Sequence, residues 1–142
     1  MKNIAVALTF ALMSMSSAFA TPTSDAQAHF AAIGSGDIDA LMHGYAGSAR
    51  LNWIGGPLDG TYTSADAIRA TWEKFGKAAG PLKVTVDKLT ESANPKGATV
   101  SANVQFLGKM PIKVRYVLTY RDGMLINETW QIDPGLTFDG GN

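Results

Sequence analysis

Glu128 is the side chain whose setting most invites chemistry. In the run 125–133, Ile126, Glu128, Trp130 and Ile132 share one face at a period of two, while Leu125, Asn127, Thr129 and Gln131 share the other. A carboxylate on an apolar face is costly unless it is paired or hydrogen-bonded, and one held away from water can work as a general acid or base. The same residue admits a structural reading: it sits wet at a rim or pairs with a cation, and a one-residue slip in register would turn it outward. Tyr116 and Tyr120 flank Leu118 on one face of the preceding run. Their hydroxyls could donate to a ligand oxygen, or simply reach water or backbone from an amphipathic core position. His29 and His43 are the two histidines. His29 is a candidate donor beside Glu128 and Tyr116, and His43 stands near the end of a short helix, where the dipole favours a cation. Two histidines without a carboxylate at ligand spacing make a poor metal site, so neither a metal nor a cofactor is expected. Trp53, Trp72 and Trp130, with Phe106, Leu118 and Tyr120, are the candidate ligand-binding set. Aromatic walls with few polar groups are typical of small-molecule sites, although three indoles can equally fill an interior.

Composition narrows the classes. Twelve basic groups balance 12 acidic ones over the 142 residues, which leaves no basic footprint for nucleic acid. Cysteine is absent, which removes disulfides, thiol nucleophiles and thiolate metal sites. No phosphate loop, dinucleotide fingerprint, nucleophile elbow or zinc motif occurs. Residues 1–20 have the texture of a secretory leader. Lys2 begins it, Ile4 to Met13 is apolar apart from Thr9, and Ala18-Phe19-Ala20 fits a signal-peptidase site. That apolar run is too short for a bilayer, which needs roughly 20 residues. The expected mature protein is therefore residues 21–142, a single periplasmic or secreted domain with no membrane contact after cleavage.

These side chains need a scaffold, and the spacing supplies one. Ser24 and Asp25 suit a helix start, Ala26, Phe30 and Ile33 recur at helical spacing, and Gly34-Ser35-Gly36 stops the helix. Asp37 can cap a second short helix whose apolar side carries Ile38, Leu41, Met42 and Tyr45. Residues 48–54 alternate as a strand, 61–63 make a short return strand, and Ser64 caps a third helix to about Ala79 with Ile68, Trp72 and Phe75 on one stripe. Four runs of period two follow at 82–92, 97–107, 112–122 and 125–133, separated by short loops that predict antiparallel hairpins. In 97–107, Ala98, Val100, Ala102, Val104 and Phe106 face inward; Thr99, Ser101, Asn103 and Gln105 face outward. In the next run Ile112 to Tyr120 alternate inward, leaving Lys113, Arg115, Val117 and Thr119 outside. Residues 134–142 read as a loose glycine-rich tail. Three helices on the inner face of about six strand segments form an α+β roll.

The stretch His29-Phe30-Ala31-Ala32-Ile33-Gly34-Ser35-Gly36-Asp37, then Leu41 and Tyr45, resembles the opening of the nuclear transport factor 2-like superfamily, in its SnoaL-like branch. Asp122-Gly123 stands where that family has the short turn of its last hairpin, and the order of elements agrees from about Ser24 to Asp133. The resemblance implies a cone of strongly curved, mainly antiparallel sheet around an apolar cavity, with dimers formed through the outer sheet face. It also implies a range of activities, among them ketosteroid isomerases, polyketide cyclases, dehydratases and epoxide hydrolases. Aligned on the isomerases, Trp53 occupies the place of the base carboxylate, Tyr116 that of the protonated acid, and His29 that of the helix-one tyrosine. A standard ketosteroid isomerase is thereby excluded, and a dehydratase site built on a histidine pair plus an aspartate is not met by His29 and His43.

Three functions remain. The leading one is an exported protein that binds a hydrophobic or aromatic small molecule in the cone. The first alternative is a cofactor-independent lyase, isomerase or hydrolase with Glu128 as general acid/base and Tyr116 and His29 as donors. The second alternative is an interaction module that uses the outer sheet face. A buried Glu128 within reach of Tyr116 or His29 favours chemistry, and an inner cavity filled by Trp53, Trp72 and Trp130 would sink both pocket readings and leave the interaction module.

Overall fold

The structure, a computed structural model, describes residues 20–139. The expected leader, residues 1–20, lies outside the described residues except for Ala20. Three helices, α1 (Pro22–Ser35), α2 (Ile38–His43) and α3 (Ala65–Ala79), accompany six strands. These are β1 (Tyr45–Ile54), β2 (Gly60–Tyr62), β3 (Lys83–Asn94), β4 (Gly97–Leu107), β5 (Pro111–Arg121) and β6 (Met124–Ile132). They form one sheet in the order β2-β1-β6-β5-β4-β3. Every neighbouring pair is antiparallel except β1 with β6, which run parallel. Among the described residues no helix is long and apolar enough to cross a membrane.

Helix α1 begins earlier than Ser24 and Asp25 suggested. Thr21 is the N-cap, with Pro22 inside the first turn. Ser24 closes a capping box in which Ser24 Oγ accepts the Thr21 N–H at 2.9 Å and Thr21 Oγ1 accepts the Ser24 N–H at 3.1 Å. Proline is tolerated there because its missing N–H would have no helical partner anyway. At the other end α1 lies directly on the sheet. A Cβ on Gly34 would stand 2.5 Å from Val84 Cγ2 and 2.9 Å from the Leu82 carbonyl oxygen, and the Leu82 N–H donates to the Gly34 carbonyl at 2.9 Å. Only glycine permits that approach.

The two-residue period holds where it was read in β4 and β5. Val100, Ala102, Val104, Phe106, Val114, Tyr116 and Leu118 are all buried, and the outward residues of both strands are largely half-covered. In β6 the pattern breaks at one point. Tyr120 opposes Leu125 while Thr119 opposes Asn127, so Ile126 is an extra residue, a bulge. Leu125 is therefore buried and Ile126 only half so, the reverse of the simple alternation, while Glu128 and Trp130 stay inside. Asp122 and Gly123, with φ 51° and 73°, make the tight turn that joins β5 to β6.

The second correction concerns Tyr45. It is the first residue of β1 rather than part of the second helix, because α2 ends at His43 and Gly44 breaks away. The Leu125 N–H donates to the Gly44 carbonyl at 2.9 Å, and Tyr45 pairs with Leu125. Past β6 the tail has no regular element, but Lys113 Nζ donates to the Leu136 carbonyl at 3.0 Å and the Asp139 N–H to Asp87 at 3.1 Å.

Candidate functional site

The curved sheet carries Glu128 to the centre of the molecule, with no exposure at all. Four elements supply its neighbours: α1 gives His29, the start of β1 gives Tyr45, β5 gives Tyr116, and α3 gives Trp72 behind them. His29 Nε2 lies 2.5 Å from Glu128 Oε2. Tyr116 donates its hydroxyl to the same oxygen, and Tyr45 donates to Oε1. The Trp72 indole N–H donates to the Tyr45 hydroxyl at 2.9 Å, and the Tyr116 hydroxyl is 3.3 Å from His29 Nε2. The carboxylate thus accepts from every side, which is what keeps a buried acid tolerable. His29 forms an ion pair with it when the imidazole carries a second proton, and a hydrogen bond from a neutral ring to the carboxylate otherwise.

The phenols are held in their protonated form. Burial, reinforced by the Glu128 charge beside them, raises both Tyr45 and Tyr116 well above the ordinary phenol range. Tyr120 is raised as well, first by burial and then by Glu128. Tyr45 and Tyr116 are therefore fixed as donors toward Glu128.

Two cavities flank this cluster on different sides. The larger, about 510 Å³, opens at the mouth of the cone. Its walls are Trp53 and Leu58, Phe75 and Ala78 of α3, Ile112 and Trp130, closed by Ile132 and three prolines, with Lys74 and Lys113 as its charged members. The smaller, about 310 Å³, lies between α1, α2 and the β5–β6 turn; His29, Asp25, His43, Tyr120 and Leu125 border it. Glu128, Tyr45 and Tyr116 border neither.

The residues expected at the site therefore part company. Glu128, Tyr116 and His29 do come together, as the chemical reading required. Of the expected ligand-binding set, Trp53 and Trp130 face the large cavity, while Tyr120 borders the smaller one. Trp72, Phe106 and Leu118 line neither and are packed in the core at 1%, 0% and 0% exposure. The reason is aromatic crowding. Trp130 is sandwiched between Trp53 at 4.4 Å and Phe106 at 5.1 Å, with Trp72 edge-on at 5.6 Å. These rings fill the middle of the cone and leave the open volume outside them. Lys113, expected on the outer face, borders the mouth. Tyr45 was missed as a site residue altogether; Gly44 before it was the available signal that the helix had ended. Among the described residues no cluster of three His, Cys, Asp or Glu could hold a metal.

The model of the SnoaL-like domain family matches residues 26–127. The chain belongs to that family. Solved structures agree on the fold of this SnoaL-like domain, within the nuclear transport factor 2-like superfamily. An NTF2-like protein of unknown function from Pseudomonas putida is 20% identical with a TM-score of 0.67, over 84% of this chain and 93% of that one. A candidate calcium/calmodulin-dependent protein kinase type II association domain from Thiobacillus denitrificans is 21% identical with a TM-score of 0.69, over 81% and 97%. A candidate polyketide cyclase from Sinorhizobium meliloti is 23% identical with a TM-score of 0.53, over 75% and 93%. No curated protein matches the SnoaL-like chain. At these identities the likeness extends to fold alone.

Proposed function

We propose that this SnoaL-like protein is exported and binds a hydrophobic or aromatic small molecule at the mouth of its cone. One observation carries the reading: a cavity of about 510 Å³ walled by Trp53, Phe75, Trp130 and aliphatic side chains. That volume lies within the roughly 300–1,000 Å³ of small-molecule sites, and its apolar walls with few polar groups match their chemistry. Export is supported by the leader pattern of residues 1–20. The reading also pairs two copies through the outer sheet face, where Ser101, Gln105, Arg115, Val117 and Thr119 are only partly covered. Native mass spectrometry of protein recovered from the periplasm or medium of its own host checks all three points. The expected species begins at Thr21, is dimeric and carries a small molecule. An uncleaved chain overturns export. A monomer overturns the pairing. A protein that arrives empty and takes up no apolar compound overturns the binding reading.

A second reading is favoured by the contact of Glu128 with both Tyr116 and His29. It makes the protein a cofactor-independent lyase, isomerase or hydrolase, with His29 as the one member of the set that borders a cavity. The binding reading is preferred over the enzyme because the carboxylate itself reaches neither cavity, and over the interaction module because the tryptophans fill the middle of the cone but leave about 510 Å³ open beside Trp53 and Trp130. Under the enzyme reading, Glu128→Gln retains ligand and loses turnover, and an activity that survives this change removes Glu128 from the role of base.

A further inference from the structure

We infer that the occupant of the large cavity is an amphipathic organic anion, with a flat apolar body against Trp53, Phe75 and Trp130 and a carboxylate at Lys74 and Lys113. The inference rests on the binding reading above and adds the chemical class of the ligand. Two observations support it. The first is the sign of the charge. The wall holds two lysines and no acidic side chain, so a molecule that enters meets positive potential beside low-dielectric aromatic surface, where charge interactions weaken least.

Secondly, neither lysine is neutralised. The side-chain ion pairs among the described residues are His29–Glu128 and Arg69–Asp39. Lys113 Nζ donates to the Leu136 carbonyl at 3.0 Å, a neutral acceptor that leaves its charge uncompensated. Lys74 is exposed on α3, one residue before Phe75, whose ring is part of the same wall. Both stems are long enough to lie along apolar surface while their ammonium groups stay at the water side.

Calorimetric titration with naphthoate and with neutral naphthamide tests the inference, because the two share shape and apolar area and differ in charge. Naphthoate is expected to bind about tenfold more tightly than naphthamide, the gain of one or two charge-assisted hydrogen bonds. Its affinity falls with added salt, whereas that of naphthamide does not. In the Lys74→Met, Lys113→Met double variant, which keeps the apolar stems, the two compounds bind alike and naphthamide keeps its original affinity. Equal affinity in the parent protein overturns the anion inference and leaves the binding reading standing. A preference that persists in the double variant overturns the lysine assignment. If neither compound binds, both readings fall.

Discussion

Glu128→Ala is expected to lower the stability of the protein by about 3–5 kcal/mol, the cost of breaking a buried pair by removing one partner. The change takes away the acceptor shared by Tyr45, Tyr116 and His29 and leaves three buried polar groups without it. Each stranded group costs roughly 1–3 kcal/mol taken alone, and because they share one partner these costs do not simply add. The tyrosines cannot escape by ionising, since burial and their surroundings hold their protons in place. Relative to a total stability of about 5–15 kcal/mol for a domain, the loss is large. In urea unfolding it should appear as a fall in midpoint on the order of 2 M, given a slope of about 1–3 kcal/mol per M. Glu128→Gln is expected to cost much less. The amide keeps one acceptor oxygen, and its NH₂ can donate to His29 if the imidazole turns its lone pair toward it. Glu128→Ala within about 0.5 kcal/mol of the parent, the scale of an ordinary surface change, would mean that the cluster does not hold the fold together.

Trp130→Ala should be comparably severe, at about 3–5 kcal/mol, for a different reason. The indole is the hub of the aromatic core: stacked on Trp53 and Phe106, and edge-on to Trp72, Phe75 and Tyr116 at 5.6, 5.3 and 5.7 Å. Its removal cancels several ring contacts, each about 0.5–1.5 kcal/mol beyond area burial, and joins the vacated volume to the mouth cavity. Trp130→Phe keeps a ring in the stack and also removes the unpartnered indole N–H. Its destabilisation should therefore be a fraction of that of the alanine variant. Thermal and urea unfolding of the two variants side by side make the comparison. Similar losses for both would mean that the full indole volume, and not merely a ring in the stack, holds the core together.

Much of this architecture was legible from residue order, because its causes are local. A pleated strand sends alternate side chains to opposite faces, so Val100 to Phe106 and Val114 to Tyr120 could be placed inward without knowledge of their neighbours. Asp37 and Ser64 cap the helices that follow them, and Asp122-Gly123 turns the last hairpin, because each acts on backbone within a few residues. Glu128 itself stood out as a carboxylate among apolar neighbours on its own strand.

What surrounds Glu128 was another matter. His29 and Tyr45 lie 99 and 83 positions away in the chain, and no local periodicity specifies that they meet. Tyr45 joins a strand because β6 pairs with it, which overrides the helical spacing that continued from Ile38 and Leu41. The bulge at Ile126 is likewise a property of the β5–β6 pair, since an extra residue exists only relative to the strand opposite. The division of labour inside the cone was decided last. Whether an inward-facing aromatic residue lines a cavity or fills it depends on how closely Trp53, Phe106 and Trp130 stack in three dimensions, and that is settled by packing across three strands. Residue types and spacing thus determined the roll and its inner face. Tertiary packing alone sealed Glu128 away from water and set the open space on the far side of Trp130, where Lys74 and Lys113 stand.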